Sequence, residues 1–414
     1  MAHAAAGGRP KTAAEMGIMV GSPPSRVVDL AAWDKGPDNR WAFQHISEII
    51  PTTVVSRGVG LPRPLVEVSG DVSSVVVDDA DSCVTVADVL SATYTDGFIV
   101  LTGGEIVHEQ YFNEMGPATR HLLMSVSKSM VGTLAGIFVE DGSLHPERPV
   151  TDYVPELRMS PGFADAMVRD VLDMTTAIEF SEEYDDPDSE VVAHERAMAW
   201  RGPSATAEQG LYAFATTVDR ADRRRGELFH YASINADVLG WLIERIAGMR
   251  FADVMSEAIW TRLGCDHDAL LSVDLKGSAV VNGGFCVTLR DLARFGQMIL
   301  DGGRANGSQI VPAAWIDDIR YDGNNAVWLP TQYAELWPHG WYRNQWYVTG
   351  DDHGSFFAMG VNGQHIWIDP TTRVVIVKLS SQPKSVDVPA TALALRAMEA
   401  IARTEKFSST AEPI

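Results

Sequence analysis

The chain has 414 residues, 46% hydrophobic and 21% charged, enough for one large domain with an insertion or for two domains. Its 33 Lys and Arg stand against 55 Asp and Glu, a formal charge of -22 that repels nucleic acid and anionic membrane surfaces. No apolar run approaches about 20 residues, so the sequence predicts no membrane-spanning helix.

Residues 1–28, rich in Ala, Gly and Pro, read as a flexible or loosely wrapped tail, without the basic start and apolar core of a signal peptide. Residues 97–101 and 105–112 flank Thr102, Gly103 and Gly104 as an antiparallel hairpin. A long helix then starts at Ser125, carried by Val126, Met130, Val131, Leu134, Ala135, Phe138 and Val139, and stops at Gly142. Residues 142–274 read as a mainly helical lobe, with helices at 163–174, 207–214, 236–248 and 251–263 and loops at Pro161, Pro187 and Pro203. The remainder predicts a helix at 288–300, strands at 365–369 and 373–380, and an amphipathic helix Val388–Ala402. Strands at both ends imply an α+β fold in which residues 29–141 and 275–414 share one antiparallel sheet flanked by helices. The helical lobe is inserted, and a cleft separates the two. Cys83, Cys265 and Cys286 lack metal-ligand spacing and read as reduced core residues of a cytoplasmic protein. The basic run Arg223, Arg224 and Arg225 reads as a solvated turn.

The chemistry concentrates at Ser125 and Lys128. Positions i and i+3 are neighbours on a helix, so the Lys128 amine lies beside the Ser125 hydroxyl, with the first-turn N–H groups close by. A serine hydroxyl is inert near neutral pH until a base takes its proton, and a desolvated lysine can be that base. The spacing alone is weak: Ser381, Gln382, Pro383 and Lys384 repeat it, although Pro383 forbids an ordinary helical turn there. By itself Ser125 could equally be a helix-terminal serine satisfying a backbone donor, with Lys128 a solvated charge.

The wording His121 Leu122 Leu123 Met124 Ser125 Val126 Ser127 Lys128 Ser129 Met130 resembles the serine-lysine acyltransferase superfamily, β-lactamase-like and transpeptidase-like in fold. That superfamily holds penicillin-binding proteins, class C β-lactamases and family VIII esterases. Within it the chain is most similar to the 6-aminohexanoate-dimer hydrolases, which cleave nylon oligomers. The likeness continues through Asn39 Arg40 Trp41 Ala42 Phe43 Gln44 His45, Asp152 Tyr153 Val154 Pro155 Glu156 Leu157, Asn282 Gly283 Gly284, and Gln364 His365 Ile366 Trp367 Ile368 Asp369 Pro370. It spans nearly everything beyond the first 25 or so residues, in the family's order.

The resemblance implies roles. Ser125 is the nucleophile, Lys128 its base and Tyr231 the acid-base relay, in Phe229 His230 Tyr231 Ala232 Ser233 Ile234 Asn235. The main-chain N–H groups of Ser125 and Val361 form the oxyanion hole. Tyr184 contacts the scissile amide nitrogen from a mobile loop, and Glu195 stands where active relatives carry an aspartate that meets the substrate's ammonium end. Asn282 is a pocket asparagine, and Trp346 and Tyr347 fall in an aromatic wall. Asn362 stands where the nylon-oligomer hydrolases have histidine. A Lys-Thr-Gly triplet is missing from the run Phe356 Phe357 Ala358 Met359 Gly360 Val361, which reads as an edge strand, and this counts against β-lactam hydrolysis. The implied substrate is a small amide or ester, with no cofactor or metal and no nucleic-acid or membrane partner; whether the chain forms a homodimer stays open. A carboxylesterase without useful amidase activity and a catalytically silent ligand-binding module are the alternatives. No Gly-x-Ser-x-Gly elbow, zinc-protease helix or phosphate loop competes.

Overall fold

A computed structural model describes residues 9–79 and 82–404. Its centre is a seven-stranded antiparallel sheet in the spatial order Trp341–Arg343, Trp346–Val348, Phe356–Gly360, Gln364–Asp369, Val374–Ser380, Thr95–Thr102, Glu105–Tyr111. The first and last thirds of the chain meet where Val377 faces Ile99 and Ile376 faces Val100. Successive side chains along a strand point to opposite faces, and here both faces are buried. Ile99, Leu101, Ile366, Ile368, Val375 and Val377 enter one hydrophobic core. Phe98, Val100, Trp367, Val374 and Ile376 enter a second. The helix Leu289–Leu300 covers the first face, and Val388–Ala402, with Val86–Ala92, covers the second. A period-two pattern with β-branched residues on both faces therefore gives a central layer between helices, as the fold class anticipated.

A smaller antiparallel sheet orders Thr52–Val55, Ala269–Ser272, Phe285–Thr288 and Arg120–Leu122. Ala269–Ser272 lies within the stretch expected to be helical, because its register with Thr52–Val55 and Phe285–Thr288 supplies partners that local pattern cannot announce. The helix Val126–Glu140 runs from this sheet into the core. A β-carbon on Gly132 would sit 2.1 Å from the Asn344 carbonyl oxygen, so only glycine lets the helix approach that turn. Its neighbour Ile234–Ala247 packs against it.

Several helix boundaries differ from the pattern-based ones. Residues 163–174 hold a single short helix, Val168–Leu172. The expected helix at 207–214 divides into Ala205–Gln209 and Leu211–Ala215 at Gly210, whose φ of 87° ends the first, while Asp274 accepts the Leu211 N–H at 2.7 Å to start the second. Phe356–Gly360 is an interior strand, yet Trp346–Val348 pairs only with its first two residues, so Ala358 to Gly360 have a ladder partner on one side alone.

The expectation of a flexible tail over residues 1–28 fails from Arg9 onward. Ala13, Ile18 and Val28 are buried in the main core, and the Ala13 N–H donates to Asn113 Oδ1 at 3.0 Å. Apolar residues spaced among the Ala and Gly carry that docking, and composition hid them; residues 1–8 lie outside the described residues. Cys265 and Cys286 are buried, but Cys83 is exposed on the hairpin formed by Val76–Asp79 and Ser82–Thr85. Among the described residues no helix is long and apolar enough to cross a membrane.

Candidate active site

Ser125 sits in the turn joining Arg120–Leu122 to the helix Val126–Glu140. The preceding Met124 is held at φ +46°, a left-handed conformation that an unbranched residue adopts only when its surroundings impose it. The hydroxyl does not cap the helix. Instead Lys128 Nζ donates to Ser125 Oγ at 2.7 Å and to the Asn282 carbonyl oxygen at 2.9 Å. Lys128 is 1% exposed, and burial pulls its amine down to about 8, against the charges of Glu182 and Asp237, which push it up. One unit below that pKa about a tenth of the amine is neutral and able to accept a proton, and half of it is at the pKa itself.

Tyr231, half-buried, lies with its ring centroid 5.2 Å from Lys128 Nζ. Burial and the charge of Glu182 hold the phenol's pKa well above its ordinary value, so Tyr231 keeps its proton and can donate it. Tyr347 stacks on this ring at 6.3 Å. Trp346 does not share the expected aromatic wall. It is fully buried on the opposite face of the strand, stacked on Phe295 and donating to Thr133 Oγ1 at 3.2 Å. Adjacent strand residues cannot both face one pocket, which is the physical reason for the correction.

Val361 follows Gly360 at the half-paired end of its strand and lines the same cleft as Ser125. A β-carbon on Gly360 would lie 2.8 Å from the Ser125 nitrogen and 2.8 Å from the Leu123 carbonyl oxygen, so this strand and the Ser125 turn touch backbone to backbone. Asn362 also lines the cleft, but its side chain is partly spent on structure: Nδ2 donates to the Gln382 carbonyl at 2.8 Å, and the residue takes φ +60°.

Asn282 faces the cleft with its amide committed elsewhere. Its Nδ2 donates to Asp237 Oδ2 at 2.7 Å, and its N–H, with that of Val281, donates to Asp237 Oδ1 at 3.0 and 2.9 Å. Asn282 therefore serves Lys128 through its carbonyl oxygen. Tyr184 lines the cleft and donates to Glu182 Oε2 at 2.6 Å. Glu182 Oε1 accepts the Ser233 N–H at 2.6 Å, tying the Tyr184 loop to the N-terminus of the helix Ile234–Ala247, just beyond Tyr231. Glu195 lines the cleft too, but its Oε2 accepts Arg201 Nε at 2.8 Å, and burial pushes its carboxyl up to about 7. Glu182, Asp237, Asp34 and Arg201 escaped sequence reasoning, since single charged residues in helices and loops carry no periodic or spacing signal.

The β-lactamase family model matches residues 79–399. The chain belongs to the β-lactamase family. Among curated relatives of this family member, a 6-aminohexanoate-dimer hydrolase of Paenarthrobacter ureafaciens is 40% identical over 354 residues, which make up 86% of this chain and 88% of that one. A solved structure from Bacillus anthracis, provisionally named a 6-aminohexanoate-dimer hydrolase, aligns with TM-score 0.81 and 25% identity over 91% of this chain and 96% of that one. A family VIII carboxylesterase shares the β-lactamase-like fold at TM-score 0.56 and 14% identity, over 76% and 96% of the two chains.

Proposed function

We propose that this protein is a serine hydrolase that cleaves short linear amides such as 6-aminohexanoate dimer through an acyl-enzyme, and small acyl esters as a companion activity. The observation that carries the reading is the buried Lys128 amine, 2.7 Å from Ser125 Oγ and lowered to about 8. Neutral Lys128 takes the Ser125 proton as Oγ attacks the carbonyl carbon. The N–H groups of Ser125 and Val361 receive the developing oxyanion. Tyr231 gives its proton to the departing amine and is reprotonated from Lys128, and water then cleaves the acyl ester to free the acid and restore Ser125. The named relative at 40% identity supports the amide substrate.

The test compares wild-type protein with Ser125→Ala on a p-nitrophenyl acyl ester and on 6-aminohexanoate dimer. Turnover of both by the wild type, abolished in the variant, is expected. Ester turnover alone would reduce the protein to an esterase, and activity retained in Ser125→Ala would remove Ser125 as the nucleophile.

A further inference from the structure

The single helical turn Asn39–Ala42 holds two polar side chains in the interior, Asn39 at 0% and Arg40 at 4% exposure. Burying such groups is costly unless they are hydrogen-bonded, so the destinations of their bonds are informative. Asn39 Nδ2 donates to the Gln382 carbonyl oxygen at 2.6 Å. The same carbonyl accepts Asn362 Nδ2 at 2.8 Å, the Gln382 N–H donates back to the Asn362 carbonyl at 3.1 Å, and the Asn362 N–H donates to the Ser385 carbonyl at 2.9 Å. Asn362 is thus gripped by the loop 381–385, and Val361 directly precedes it. Gly36 braces that loop from beside Asn39: its N–H donates to the Pro383 carbonyl at 3.1 Å, and a β-carbon on Gly36 would sit 2.4 Å from Pro383 Cβ. The run Ser381 Gln382 Pro383 Lys384, which repeats the Ser-x-x-Lys spacing without its helix, finds its use here.

The same turn also reaches the strand that leads into Ser125. The Phe43 carbonyl oxygen, one residue past the helix, accepts the Leu122 N–H at 2.8 Å. Arg40 Nη1 donates to Asp96 Oδ1 at 3.1 Å and to Ser381 Oγ at 3.2 Å. Asp96 Oδ2 in turn accepts Ser381 Oγ at 2.5 Å and lies 3.1 Å from His121 Nε2. Residues 39–43 therefore anchor both the approach to Ser125 and the loop that grips the residue after Val361.

We infer that the turn Asn39–Ala42 is a positioning element that sets the separation of the Ser125 and Val361 N–H groups, with Asn39 fixing the Val361 side. The inference rests on the hydrolase reading above, in which these two groups receive the oxyanion. Neither Asn39 nor Gly36 touches the substrate; each acts through the loop 381–385 on Asn362.

Asn39→Ala tests it at small structural cost, because Gln382 keeps its bond from Asn362 and Asn39 Oδ1 has no partner to lose. Acylation and deacylation both pass through an oxyanion, so with p-nitrophenyl hexanoate kcat should fall about tenfold while KM is unchanged. Hexylboronic acid, which forms a tetrahedral adduct on a serine hydroxyl, should inhibit the variant more weakly by the same factor. Gly36→Ala, which presses on Pro383 and leaves the Asn39 bond in place, should give the same pattern, and it decides the matter if Asn39→Ala does not fold. Variants that melt earlier but keep kcat and the boronic acid inhibition constant of the wild type would make this turn purely structural and overturn the inference. A loss confined to KM would overturn it too. A wild type that neither turns over the ester nor is inhibited by the boronic acid would sink the hydrolase reading first, and this inference with it.

Discussion

On the proposed mechanism Lys128 must lose its proton before it can take one from Ser125, so its surroundings would set the pH at which the site works. Burial lowers the amine to about 8 while Glu182 and Asp237 restrain the fall. The base is the neutral form, so acylation is expected to rise with pH and level off above an apparent pKa near 8, read as the acidic limb of kcat/KM against pH. A limb below pH 6 would exclude Lys128 as the titrating base. The Ser-Lys spacing was legible in the sequence because i and i+3 adjacency follows from helix geometry alone. The acids that tune the pair were not, since Glu182 lies in a loop and Asp237 on another helix, and only tertiary packing brings either charge to Lys128.

Among the elements, the strand Phe356–Gly360 has the most exacting placement. It is held by Gln364–Asp369 along its length and freed from Trp346–Val348 after two residues, which lets its last residues meet the Ser125 turn. Gly360→Ala is expected to push Val361 away from Ser125 and lower kcat by tenfold or more, about the effect of losing part of an oxyanion hole, with little change in KM. Unchanged kcat would show that the backbone contact is not what positions Val361. Sequence pattern found this strand and its hairpin partner but placed it at an edge, because Trp346–Val348, a three-residue strand across the loop 349–355, is too short to show a strand pattern of its own. The neighbouring pair Trp346 and Tyr347 was placed in one wall by resemblance, although the local alternation along the strand separates them.

At the scale of the whole molecule, two lysines among the described residues are buried, Lys128 and Lys378, the second lowered to about 7 by burial. In an unfolded chain both stay protonated up to about pH 10.4. Between pH 7 and 8.5 the unfolded state therefore binds more protons than the folded one, and stability should rise with pH across that window. Melting temperature measured at several pH values checks the sign, and Lys378→Met should flatten the slope by removing one of the two groups. A slope that falls, or one unaffected by Lys378→Met, would contradict the burial argument. The general architecture was legible because strands at both ends of the chain and helices between them admit few compact arrangements. The docking of residues 9–28 and the strand Ala269–Ser272 were not, since each is stabilised by partners more than 80 residues away.

The two-faced sheet has a further consequence for how this chain can change. Trp346 plugs the core behind the nucleophile helix, while Tyr347, one position later, backs the ring of Tyr231. A shift of one residue along that strand would exchange their destinations, leaving a void in the scaffold and a misplaced ring beside Tyr231 at once. Insertions and deletions near the turn at Asn344 and Gln345 are thus barred by folding and by chemistry together, whereas point changes at either position alone can be sifted separately.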